Sequence, residues 1–97
     1  MPAAFTLRID EKTLEALDHL ADRTERSRAA ERTIARIISA IDRLPLHSEI
    51  GRPGRIAGTR ELVIPGTPYL APYRIREGEV QILSIFHGFR RWPEHFG

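Results

Sequence analysis

An α+β domain with the element order β-α-α-β-β-β is predicted by three features of the sequence. Residues 5–9 alternate apolar and polar side chains, residues 14–44 carry apolar side chains at helical spacing, and the second half holds three β-rich segments punctuated by glycine and proline. The chain has 97 residues, which is one domain with one modest core, over residues 1–97. Cysteine is absent, so neither a disulfide framework nor a thiolate zinc site is expected. No apolar run reaches the roughly 18 residues of a membrane span, and the start of the chain lacks a signal-peptide core. The expectation is a cytoplasmic protein that does not engage membranes and needs no cofactor.

Phe5-Thr6-Leu7-Arg8-Ile9 reads as a half-buried strand. Asp10 is placed to cap the following helix, with Glu11 favourable in its first turn. Leu14, Leu17, Leu20 and Ala21 give that helix its apolar side as far as about Thr24. Ser27 can cap a second helix whose apolar face is Ala30, Ile34, Ile37, Ile38, Ile41 and Leu44, and Pro45 stops it. The segment from Pro45 to Gly58 has no period. Arg60 to Ile64 is then the first of three strands, closed by the Pro65-Gly66-Thr67-Pro68 turn. Tyr69 to Arg76 is the second, and Glu77-Gly78 makes a hairpin turn into the third, Val80 to His87. Pro72 inside the second strand calls for an edge position or a bulge. The third strand is apolar on both faces, which predicts a central position. In the expected packing Ile34, Ile37, Ile38, Ile41 and Leu44 face Leu62, Ile64, Ile82 and Phe86 across an antiparallel sheet.

Charge divides unevenly along the chain. Residues 1–49 hold eight basic and nine acidic side chains, for −1, and residues 50–97 hold seven and four, for +3. All the bases but Lys12 are arginine, the side chain best suited to bidentate contact with phosphate or carboxylate. This points weakly to an acidic partner.

From about Ala29 onward the sequence resembles toxins of the RelE/ParE family, most closely the ParE branch. The residues that carry this are the helix from Ala29-Ala30-Glu31-Arg32 to Leu44, the loop Gly51-Arg52-Pro53-Gly54-Arg55, the run Gly58-Thr59-Arg60-Glu61-Leu62-Val63-Ile64-Pro65-Gly66-Thr67-Pro68-Tyr69, Tyr73-Arg74-Ile75, Val80-Gln81-Ile82-Leu83, and His87-Gly88 through Trp92-Pro93. The resemblance implies a toxin of a type II toxin-antitoxin system, with two helices on a sheet, a cognate antitoxin as partner and DNA gyrase as the target bound. Residues 1–28 instead resemble a ribbon-helix-helix antitoxin, through Phe5-Thr6-Leu7-Arg8-Ile9-Asp10-Glu11, Leu14 to Ala21 and Arg26-Ser27-Arg28. That implies an antitoxin-toxin fusion, natural or constructed, in which the first strand forms an intermolecular ribbon and the chain dimerises. Divergence of a toxin's first hairpin is the alternative.

Two sets of candidate residues follow. Arg60, Arg74, His87, Arg90, Arg91 and Trp92 are candidates for target binding. With His87 as acid or base and the arginines on phosphate, the same residues offer a ribonuclease reading, although the catalytic set does not align convincingly with the family's ribonuclease branch. Thr6 and Arg8 on the polar face of the first strand, with Ser27 and Arg28 at a helix N-terminus, are candidates for DNA binding in the ribbon-helix-helix manner. The glycines of the 51–55 loop evoke a phosphate cradle, but the loop lacks P-loop spacing and is read as positioning the first sheet strand. His87 and His95 lack a third ligand at a metal-binding spacing, so no metal site is expected. Trp92 and Phe96 are read equally as partner anchors or as core closure.

Overall fold

The computed structural model describes residues 5–23 and 28–88. The elements are β1 (Thr6–Ile9), α1 (Glu11–Arg23), α2 (Arg28–Asp42), β2 (Arg52–Pro53), β3 (Arg60–Val63), β4 (Tyr69–Arg76), β5 (Glu79–Ile82) and β6 (Phe86–His87). The strands form one sheet in the order β1-β5-β4-β3-β2, with β6 also pairing to β4. Asp10 caps α1 as its position predicts, its Oδ1 accepting the Thr13 backbone N–H at 2.8 Å. The Glu77-Gly78 turn joins Arg76 to its partner Glu79. Both central residues have positive φ, 51° and 77°, the signature of a type I′ hairpin.

The core lies between the helix pair and one sheet face. Ile37, Ile41 and Leu44 of α2 and the segment after it pack with Leu62, Ile64, Ala71, Tyr73, Val80 and Ile82. Ile34 lies outside this cluster, and Ile38 does not join it either, being 46% exposed. Ile37, Ile41 and Leu44, at i, i+4 and i+7, centre the buried stripe, and one further residue turns the side chain about 100° away from it.

Besides the short β2, which pairs with β3 from a segment where no strand was expected, two features of the sheet depart from expectation. The sheet is mixed rather than wholly antiparallel, because β1 runs parallel to β5 with Leu7 opposite Val80 and Ile9 opposite Ile82. The strand expected in an intermolecular ribbon thus has one side committed within its own chain. Leu7 and Ile9 pack against the core, while Thr6 and Arg8 are exposed.

The second departure is a break in the third predicted strand, which becomes β5 and β6. Tyr73 opposes Ile82 in the first part, whereas Leu70 opposes Phe86 in the second. One extra residue is accommodated between them, so Ser84 and Ile85 share the place opposite Ala71. This is a bulge, and Pro72 sits beside it. The Pro72 carbonyl accepts the Leu83 N–H at 2.9 Å, but proline has no N–H to return, so the ladder cannot continue there. Beyond the bulge, side-chain parity is reversed. Ile85 packs on the core. Phe86 shares a face with its partner Leu70, on the side away from the helices, not with α2 as expected.

Candidate target-binding face

The face of the sheet turned away from α1 and α2 presents two rows of polar side chains across three strands. Arg8 lies opposite Gln81, and Gln81 opposite Arg74. Thr6 lies opposite Glu79, and Glu79 opposite Arg76. Strand alternation puts them there, because Leu7, Ile9, Val80, Ile82 and Tyr73 occupy the intervening positions on the core face. With strands spaced about 4.8 Å apart, Arg8 and Arg74 straddle β5 roughly 10 Å from each other at their Cα atoms.

Neutral and acidic neighbours position the two guanidiniums. Arg74 Nε donates to Gln81 Oε1 at 2.8 Å, and Gln81 Nε2 donates to Glu79 Oε1 at 3.1 Å. Arg8 Nη1 reaches the same Glu79 oxygen at 3.8 Å, with the Arg8 side chain 66% exposed. An exposed pair at that distance is worth under about 1 kcal/mol, so a partner's carboxylates can replace it at little cost. Arg8, Asp10, Arg74, Gln81, Ile82 and Leu83 line a hollow of 230 Å³. The face combines exchangeable cations with a shallow recess, an arrangement suited to recognising an acidic surface.

Arg60 is elsewhere and has a different task. Its Nη1 donates to the Gly51 carbonyl at 2.9 Å and to that of Glu49 at 3.4 Å, which ties the loop after α2 to β3. Tyr73, fully buried, works on the same loop: its hydroxyl donates to the Ser48 carbonyl at 2.7 Å and accepts the Gly51 N–H at 2.9 Å. Gly51 is needed at this approach, because a Cβ there would come 2.5 Å from the tyrosine ring.

The arginines of the 51–55 loop turn onto a carboxylate rather than outward to a phosphate. Glu61, only 2% exposed, accepts from Arg52 Nε and Nη2 on Oε1, and from the Arg55 backbone N–H and Nε on Oε2, at 2.9–3.2 Å. Burial pushes the carboxyl pKa up, but these bonds and the Arg55 charge outweigh it and hold the pKa below its ordinary value. The loop therefore positions β2 against β3.

His87 stacks edge-on against Tyr69, with ring centroids 5.6 Å apart. Tyr69 and Arg74 are five residues apart on β4, about 16 Å along the strand, and their side chains take opposite faces. His87 and Arg74 are accordingly not brought together. Arg28 is exposed at the start of α2. Ser27, Arg90, Arg91, Trp92, His95 and Phe96 lie outside the described residues. Among the described residues, no group of three His, Asp or Glu side chains is placed to hold a metal, and no helix is long and apolar enough to cross a membrane. Gln81, Glu79 and Asp10 are members of the face that the sequence reading missed. The alternation of residues 79–82 was the available signal, since it puts Glu79 and Gln81 opposite Val80 and Ile82.

Comparison with known proteins adds to this geometry. The family described as the ParE toxin of the type II toxin-antitoxin system parDE matches residues 7–92. A Sinorhizobium fredii protein (strain NBRC 101917 / NGR234) named "Putative toxin Y4kP" is 42% identical over 85 residues, 86% of this chain and 88% of that protein. Among solved structures, the chromosomal ParDE TA system from P. aeruginosa aligns with a TM-score of 0.77 and 26% identity, over 87% of this chain and 96% of the other. A chain of the RelBE2 toxin-antitoxin complex from Mycobacterium tuberculosis shares the fold, with a TM-score of 0.62 and 24% identity over 90% and 94% of the two chains. The family match begins at residue 7 and so takes in most of the segment resembling a ribbon-helix-helix antitoxin. These matches lend no support to a fusion.

Proposed function

The chain belongs to the ParE toxin family of type II toxin-antitoxin systems, and from this we propose that it arrests growth by binding DNA gyrase and is silenced by a cognate antitoxin. The observation that carries this reading is the family match across residues 7–92, supported by a sheet face that carries Arg8, Arg74 and Arg76. Arg8, Arg74 and Arg76 on that face meet the target in this proposal. Binding is favoured over RNA cleavage because His87 of β6 and Arg74 of β4 lie on opposite faces of the sheet, which separates the acid-base candidate from its phosphate-binding partner. Induced expression in a bacterium tests the proposal, with the DNA damage response and transcript integrity followed together. Arrest with DNA damage, and inhibition of gyrase supercoiling by the purified chain, are expected. Cleaved transcripts would move the chain to the ribonuclease reading, and a folded chain that causes no arrest would refute toxicity.

A second assembly is favoured by one observation: the outer edge of β1 has no strand partner among the described residues. Such an edge can accept an extended segment, including β1 of a second copy. Sedimentation at micromolar concentration tests the homodimer, and a species that stays monomeric on concentration removes it.

A further inference from the structure

The 230 Å³ hollow beside Arg74 is lined by charges of both signs: Arg8 and Arg74 are cationic and Asp10 is anionic, with Gln81, Ile82 and Leu83 completing the wall. Strand pairing sets Gln81 between the two arginines. Asp10 follows Arg8 by two positions, so alternation keeps it on the same side of the sheet. Each charged group is oriented yet keeps bonding capacity in reserve. Gln81 Oε1 holds Arg74 Nε at 2.8 Å, and Glu79 Oε1 holds the Gln81 amide nitrogen at 3.1 Å. That relay leaves both Nη groups of half-buried Arg74 without a partner among the described residues. Asp10 uses Oδ1 to accept the Thr13 N–H, and its Oδ2 likewise has no partner among the described residues. Arg8 makes its ion pair with Glu79 at a loose 3.8 Å.

From this arrangement we infer that the hollow binds a free acidic α-amino acid, glutamate or aspartate. Its lining offers two positive charges and one negative. The ligand offers two carboxylates and one ammonium, so every charge meets its opposite. One carboxylate lies edge-on against the free Nη groups of Arg74, the bidentate geometry that a guanidinium favours. The other carboxylate pairs with Arg8 across β5, and the ammonium donates to Asp10 Oδ2. Simpler ligands leave a charge unmatched. A plain dicarboxylate gives Asp10 nothing to accept, and a neutral amino acid leaves one arginine without a carboxylate. A nucleic-acid backbone fits worse, because Asp10 and Glu79 interrupt the row of cations that successive phosphates require. The volume lies below the roughly 300–1,000 Å³ of sites for drug-sized ligands, which suits a molecule this small.

The test titrates the full chain with L-glutamate, L-glutamine and glutarate, following backbone amide resonances by NMR. Saturable shifts at Arg74, Gln81 and Leu83 are expected with glutamate, weakening with salt. Glutamine lacks the second carboxylate and glutarate lacks the ammonium, and each should bind about tenfold or more weakly. Asp10→Asn supplies the decisive variant. Asparagine caps a helix as well as aspartate does, so the thermal transition should hold while the order of ligands inverts, glutarate then binding at least as tightly as glutamate. Arg74→Gln should weaken glutamate about tenfold or more; should it fail to fold, Arg8→Gln on the exposed side of β1 serves the same comparison. No saturation at millimolar glutamate overturns the inference. So does equal binding of the three ligands, or an Asp10→Asn variant that still prefers glutamate. Gyrase takes no part in this readout, so failure of the gyrase proposal leaves the amino-acid site standing, and loss of the site leaves the gyrase proposal untouched.

Discussion

Replacing Glu61 with glutamine isolates the carboxylate that anchors the loop between α2 and β3. The side chain keeps its size, so packing against Pro72, its cross-strand neighbour, is unchanged. One oxygen can still accept both bonds from Arg52. The amide nitrogen, however, must then face the Arg55 N–H and Nε, where the carboxylate oxygen accepted at 2.9 and 3.2 Å. Two charge-assisted bonds are lost and three donors are set against one another. Bonds to charged groups contribute about 1.5–3 kcal/mol each, but Arg52 and Arg55 are 55% and 47% exposed, so water recovers part of the loss. The expected net cost is about 2 kcal/mol. For a domain of this length that lowers Tm by about 8–16 °C. Calorimetry or circular dichroism at pH 7 measures it. The pH dependence supplies a second reading with a definite sign. Because the folded-state pKa of Glu61 lies below its ordinary value of 4.5, its stabilisation is fully present above that value and is lost as pH falls through the folded pKa. The gap between parent and Glu61→Gln should therefore be constant near neutrality and close below about pH 4.5. A variant that melts within about 2 °C of the parent at pH 7, or a gap that widens in acid, would refute the reasoning.

Three further outcomes are expected. Ile37→Ala should cost about 2–5 kcal/mol in urea unfolding, whereas Ile38→Ala, on the exposed side of the same turn, should stay within about 1 kcal/mol; comparable losses would mean that α2 is rotated. Tyr73→Phe leaves the Gly51 N–H and Ser48 carbonyl without their partner and should destabilise by about 1–3 kcal/mol, with faster amide exchange at Gly51 as the local signature. On the gyrase proposal, Arg8→Glu/Arg74→Glu should leave the melting temperature nearly unchanged and weaken inhibition of gyrase about tenfold or more, which a supercoiling assay reads directly.

The elements themselves were legible because they are written in short-range patterns. The cap at Asp10, the stop before Pro45, the turn at Glu77-Gly78 and the strand Tyr69–Arg76 each depend on a few neighbouring residues. So does most of the α2 stripe, although Ile38 is exposed and Ile34 stays outside the core cluster. The family could also be read, since the toxin-like motifs fill most of the chain, but the ribbon-helix-helix likeness of residues 1–28 misled. An alternating strand followed by an amphipathic helix is a pattern that both folds share. What tells them apart is the strand's partner, and β1 takes β5, which lies 73 residues further on (Thr6 opposite Glu79).

The functional site shows the same division at closer range. Arg74 and Arg8 were legible as candidate binding cations, yet their convergence across β5 follows from strand order, which no local pattern encodes. Arg60, equally basic in the sequence, is spent on the carbonyls of Gly51 and Glu49. His87 depends on one residue of register. Pro72 could be seen in the sequence and demanded an edge or a bulge, but only the pairing of Leu70 with Phe86 and of Tyr73 with Ile82 shows that a single extra residue is inserted there. That residue reverses parity, carrying His87 to Tyr69 and away from Arg74. Local sequence determined which segments became helix, strand and turn, because backbone preference and apolar period act over a few residues. Which side chains meet was decided by the tertiary structure, because strand order and register are settled by burying the whole sheet at once.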